Sequence, residues 1–243
     1  MAKRPPKGRC VHCLKFAQQL TWDHVPPKAW YPESMPPQLE KWKVPSCIAC
    51  NNALSKTEED LIALVAMCLD PKASGSKGIW TPVLNSMKPE LARDERDRIA
   101  REKKAARLHE NIRQAREAIA EHGLVGLYPG LASPTDEQRK DGIPIRIPQQ
   151  LIREVCEKIV RGHAYLMDRV FIEPPFRVMF YALDDESAEP MKQAIARFGQ
   201  SYSRGDAIAI KRVVVHNNGF HAMYEVKLWQ QFGMYAIVSD DAS

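Results

Sequence analysis

The sequence predicts an α+β protein: a small cysteine-stapled module at the N-terminus, a long charged helix, then an antiparallel sheet covered by helices. Three observations carry that prediction. Two Cys-x-x-Cys pairs, Cys10/Cys13 and Cys47/Cys50, lie near the N-terminus with 33 residues between them. Residues 89–122 shift to Ala, Arg, Lys and Glu, with Leu108, Ile112, Ala115 and Ile119 at helical spacing. From about residue 176 onward, short apolar and aromatic runs alternate with turn residues, as strands do.

The cysteines come first in the chain and in the chemistry. Two close pairs can supply the closed tetrahedral shell of four thiolates that a structural Zn²⁺ prefers, with Cys10, Cys13, Cys47 and Cys50 as ligands. A redox dithiol is one pair, not two flanking proline-rich chain. Between the pairs stands Asp23-His24, and Asn51-Asn52 follows the second pair directly. His24 is a side chain able to take a proton near neutral pH, and Asp23 and Asn51 offer the hard oxygen ligands that Mg²⁺ selects.

With these residues the stretch from Cys10 to about Asp60 resembles the zinc-containing branch of the HNH, or ββα-metal, endonucleases, the branch that includes endonuclease VII. The matching segments are Cys10-x-x-Cys13, Asp23-His24-Val25-Pro26-Pro27 and Val44-Pro45-Ser46-Cys47-x-x-Cys50-Asn51-Asn52, about a quarter of the chain. The resemblance implies a treble-clef-like module and a metal-dependent endonuclease that hydrolyses phosphodiester bonds, with DNA ranked ahead of RNA as substrate and the sequence itself choosing neither. It implies His24 as general base, with Asp23 and Asn51 as catalytic residues that hold one Mg²⁺ or Mn²⁺, and a purely structural zinc. Many family members place a histidine where Asn51 stands, and no histidine follows His24 before His109. Asn52, Glu58 and Glu59 are reserve metal contacts, and Lys28 and Lys56 reserve phosphate contacts.

The remaining elements follow in order. Six prolines between the knuckles, from Pro26 to Pro45, rule out a continuous helix there. Ser55-Lys56-Thr57-Glu58 reads as a capping box opening a helix over about 56–69, and residues 71–88 read as a linker or surface excursion. The charged helix runs over 89–122 to Gly123, followed by a loop over 128–141 and an extended stretch over 143–147. An amphipathic helix over about 149–168 precedes a strand near 176–183, a helix near 188–198 and three strands near 207–216, 221–230 and 234–239. Asn217-Asn218-Gly219 is a hairpin signal, and the His-Asn-His letters around it are a coincidence of that turn. His163 reads as a satisfied core side chain, Trp22 and Trp30 as core, and Cys68 and Cys156 as buried free thiols. The chain therefore divides into 1–70, the HNH-like zinc module; 71–142, linker and charged helix; and 143–243, an α+β domain of unassigned role.

Composition sets the outer limits. With 243 residues, 44% of them hydrophobic and 8% aromatic, the chain can bury a sizeable core. It has no run of 18 apolar residues, so no membrane partner is expected and a cytoplasmic location is. Six cysteines are too few for a disulfide scaffold. Of the net charge of +5, residues 1–56 hold +6, with nine Lys and Arg against three acids. Such an excess on the module that carries Asp23-His24 is what phosphate-backbone binding needs. Two other classes remain: a zinc-stapled nucleic-acid-binding module without activity, and a regulatory protein whose C-terminal domain binds a partner or a ligand; a protein partner or an oligomer fits the chain as well.

Overall fold

The architecture is that of a computed structural model, which describes residues 5–70, 72–122, 145–181, 188–215 and 219–240. Two short strands, β1 (Gly8–Arg9) and β2 (Phe16–Ala17), pair across the first cysteine knuckle. Next, β3 (Leu20–His24) pairs antiparallel with β4 (Lys43–Cys47), Leu20 opposite Cys47 and His24 opposite Lys43. Helix α1 (Ile48–Val65) leaves β4 without a loop. Its N-cap is Cys47, whose sulfur accepts from the Cys50 amide at 3.4 Å. That cap corrects the expectation of a helix opening at the Ser55 capping box. The sulfur already satisfies an orphan amide one knuckle earlier, and the Glu58 carboxylate is engaged elsewhere.

The stretch expected as a linker is built into the body. It holds a 3-10 turn (Ser74–Ser76) and α2 (Trp80–Asn85), and Gly75, Ser76 and Ile79 are buried. Gly75 is required by a close approach: a Cβ there would lie 2.5 Å from the Trp229 carbonyl oxygen. Helix α3 (Glu95–His122) is laced by i,i+3 and i,i+4 ion pairs such as Arg98 with Glu95, as its mixed charge predicts. The loop expected at 128–141 and the Asn217-Asn218 turn lie outside the described residues.

The C-terminal part opens with α4 (Gln149–Asp168), continues with β5 (Arg177–Tyr181) and α5 (Glu189–Phe198), and ends in β6 (Gln200–Arg204), β7 (Ile208–Val215), β8 (His221–Leu228) and β9 (Phe232–Ser239). The five strands form one antiparallel sheet in the order β5-β9-β8-β7-β6. Strand β6 adds to the sequence expectation, because Gln-Ser-Tyr-Ser-Arg carries no apolar alternation; it is an edge strand with little to bury. Met191 and Ile195 of α5 cover one sheet face against Val213, Met223 and Ile237. On the other face α4 packs between the sheet and the N-terminal hairpin and helix, and one hydrophobic cluster runs from Val11, Val25 and Leu61 through Ile159 to Tyr224 and Val238. Trp229 seals this junction, its indole N–H donating to the Trp30 carbonyl at 2.7 Å. The module thus folds against α4, and α4 decides which charges reach it.

Candidate metal centre and the buried charges beside it

The first knuckle turns tightly: the Leu14 amide donates to the Cys10 carbonyl at 2.9 Å, with Leu14 in the left-handed region at φ 65°. The β3–β4 ladder then brings the second knuckle across to it. The four sulfurs of Cys10, Cys13, Cys47 and Cys50 lie within 4.8 Å of one another, and Cys13 Sγ is 3.9 Å from Cys47 Sγ. Tetrahedral Zn–S bonds of about 2.3 Å require sulfurs about 3.8 Å apart, so the Cys13–Cys47 pair already stands at that spacing and the four sulfurs are near enough to converge on one ion. At Cys10 backbone amides favour the thiolate, whereas burial raises the Cys13 and Cys50 thiols. Burial raises the Cys10 thiol, yet the amides of Cys13, Cys47 and His12 outweigh it and bring the group down to about 7. This group can hold a structural zinc ion; no other cluster of three or more His, Cys, Asp or Glu ligands converges among the described residues.

Beside the thiols lies a buried chain of charges. Asp23, on β3, is only 4% exposed. Its Oδ2 is 2.8 Å from His12 Nε2, within the first knuckle, and its Oδ1 accepts from the Lys158 ammonium of α4 at 2.6 Å. Lys158 also hydrogen-bonds Glu58 of α1. Burial works to raise Asp23, but the His12 hydrogen bond and the Lys158 charge hold its carboxyl below the usual range. Glu58 goes the other way, pushed up to about 7 by burial and by the neighbouring Asp23 charge against the pull of Lys158. One ammonium between two buried carboxylates keeps one of them ionised and leaves the other near neutrality.

Each sequence-predicted residue can now be placed. The four cysteines come together. Asn51 stands in the first turn of α1 and its Nδ2 donates to Thr21 Oγ1 at 3.2 Å, so it faces β3 two residues before Asp23. His24 ends β3, half-buried, and next in the pleat it alternates away from Asp23. Burial lowers His24 most and Lys28, Lys41 and Lys158 lower it further, against Asp23, so the imidazole is neutral near pH 7. Asn52 and Glu59 are exposed, Glu59 within 3.9 Å of Lys104, and Lys28 and Lys56 are exposed as well. Asp23 and Asn51 do not fit a Mg²⁺ or Mn²⁺ ion as the side chains stand, because a lysine and a histidine already hold both Asp23 oxygens.

Two members of this centre escaped the sequence reading, His12 and Lys158. His12 was hidden inside a metal-binding spacing. Lys158 had a legible signal: it sits at i+3 from Val155 and i−4 from Gly162 on the buried stripe of α4, where an unpaired lysine is not tolerated. A correction also applies to His163. It is fully buried as expected, but neither ring nitrogen has a hydrogen-bond partner; Trp42, Tyr202 and Tyr224 stand edge-on around it instead. No protein-family model, no curated protein and no solved structure matches this chain. No helix among the described residues is long and apolar enough to cross a membrane.

Proposed function

We propose that the chain is an endonuclease of the HNH, or ββα-metal, type acting on nucleic acid, with DNA as the preferred substrate. One observation carries this reading above the others: four convergent thiols staple a hairpin and helix that bear a neutral, half-buried His24 at the end of β3 and Asn51 on the first turn of α1. His24 accepts the proton of a water molecule whose oxygen bonds to phosphorus as the leaving oxygen departs, and a positioned base of this kind contributes about 10²–10⁴-fold. Burial, helped by the charges of Lys28 and Lys41, lowers the imidazole and keeps it neutral, and the two lysines draw phosphate to it. The zinc is structural, since four thiolates leave it no open position. The resemblance also implies a Mg²⁺ or Mn²⁺ requirement at Asp23 and Asn51, and that part of the reading has to contend with Lys158.

The occupied Asp23 favours a second reading, a zinc-stapled nucleic-acid-binding module without hydrolytic activity. A plasmid-nicking assay with and without Mg²⁺ or Mn²⁺ separates the two. The nuclease reading expects metal-dependent nicking that His24→Ala lowers by about 10²-fold with zinc content unchanged. Salt-sensitive DNA binding with no nicking under any of these ions leaves the binding module. In either reading Cys47→Ser should lose zinc and the fold of the hairpin, measured by elemental analysis and circular dichroism. Full zinc in that variant abandons the four-cysteine centre.

A further inference from the structure

Lys158 arrives at the Asp23 carboxylate from 135 residues away in the chain, on a helix that belongs to the C-terminal part. Its side chain is 1% exposed, against 5% for Asp23 and 9% for Glu58. A buried ammonium is costly unless paired, and here two carboxylates pair it. The approach is a built one: Gly162, one turn along α4, lies against Val25, where a Cβ would come within 2.8 Å of Val25 Cγ2. Two further links hold α4 and the segment after it to the module, Thr57 Oγ1 donating to Glu154 at 2.7 Å and Arg9 pairing with Glu173 at 2.6 Å.

A divalent ion at Asp23 would have to share a buried carboxylate with that ammonium. Two cations in so small a space repel strongly, and water is not there to screen them. We propose that Lys158 is an inhibitory contact: its ammonium is the resident cation of Asp23 and Glu58, and it and a divalent metal ion exclude one another at Asp23. This rests on the nuclease reading for its purpose, but metal uptake tests it without any cleavage. The C-terminal part then has a role in the site, since α4 supplies the cation that occupies the carboxylate.

The experiment is a Mn²⁺ titration of the zinc-loaded full chain, with free Mn²⁺ read by its electron paramagnetic resonance signal and no nucleic acid present. The parent, Lys158→Met and Lys158→Met/Asp23→Asn are compared. The expected result is that Lys158→Met takes up one Mn²⁺ at a concentration at least about tenfold lower than the parent, and that adding Asp23→Asn removes the gain. Equal uptake by the parent and Lys158→Met overturns the proposal, as does no uptake by Lys158→Met. If circular dichroism shows Lys158→Met unfolded, Lys158→Met/Glu58→Gln removes one carboxylate along with the ammonium, and the same comparison with and without Asp23→Asn decides. Absence of nicking by both the parent and Lys158→Met, combined with Asp23-dependent Mn²⁺ uptake by Lys158→Met, would sink the nuclease reading and leave this one standing.

Discussion

Helix α4 carries two buried polar side chains five residues apart, Lys158 and His163, and the fold accommodates them in opposite ways. Lys158 meets carboxylates from β3 and α1. His163 meets rings, its centroid 4.8 Å from Tyr202, 5.4 Å from Trp42 and 5.8 Å from Tyr224, with guanidiniums stacked behind them: Arg204 over Trp42 at 4.6 Å and Arg212 over Tyr202 at 5.0 Å. Of the seven buried side-chain atoms without a hydrogen-bond partner among the described residues, six belong to this ring cluster: Trp42 Nε1, both nitrogens of His163, Arg204 Nε, Arg212 Nε and the Tyr224 hydroxyl. The difference teaches where a polar group is indispensable. In the ionic centre, taking away one partner strands a charge; in the ring centre, taking away one of these six atoms strands nothing.

The largest effect should come from the ionic centre. Lys158→Ala leaves Asp23 and Glu58 buried with no cation between them, and stability should fall by about 3–5 kcal/mol in urea unfolding. A loss below about 1 kcal/mol would mean that water reaches these carboxylates and that the two centres do not differ as described.

Titration gives the next and more pointed contrast. Burial, reinforced by Arg212 and Arg204, pushes His163 down to about 3 from 6.5. Its folded pKa lies below the unfolded one, so the folded state binds fewer protons and stability is lost as pH falls below 6.5. Between about pH 6.5 and 5 the loss from this side chain should be about 2 kcal/mol. Glu58 has the reverse sign: burial raises it from 4.5 to about 7, and its contribution, complete below 4.5, fades as pH rises towards 7. Unfolding free energies at about pH 7 and pH 5 should therefore show that His163→Phe flattens the acid-side loss while keeping the ring contacts, and that Glu58→Gln lowers the loss on the alkaline side. If His163→Phe leaves the pH profile of the parent unchanged, the ring centre is hydrated.

Much of this was legible in the sequence. The zinc spacing, the α+β order, the charged helix and four of the five strands of the large sheet follow from periodicity and turn residues, because each is a local signal. What was not legible depends on long-range contact. Helix α1 starts at Cys47 because the knuckle sulfur caps it, and no propensity scale contains that cap. Strand β6 exists because β7 offers its edge. Asp23 could be read as an open ligand only while its partner from α4 was unknown, and His163 could be read as hydrogen-bonded only while its neighbours were unknown to be rings.

The smallest predicted effect is also the cleanest check on the ring centre. Tyr224 is fully buried on β8, burial pushes its phenol up to about 12, and its hydroxyl makes no hydrogen bond of standard geometry although the Arg212 guanidinium lies beside it. Arg212 directs its hydrogen bonds to Asp168, Nη2 at 3.0 Å from Oδ1, and to the Tyr202 hydroxyl at 3.4 Å. Removing the Tyr224 oxygen then deletes a desolvated group without stranding a partner. Tyr224→Phe should hold the parent's stability within about 0.5 kcal/mol, or raise it, and leave the acid-side loss in place, since His163 keeps its nitrogens. A loss above about 1.5 kcal/mol would identify the hydroxyl as a working donor or acceptor in the cluster, and the contrast between an ionic centre that needs every partner and a ring centre that does not would fail at this residue.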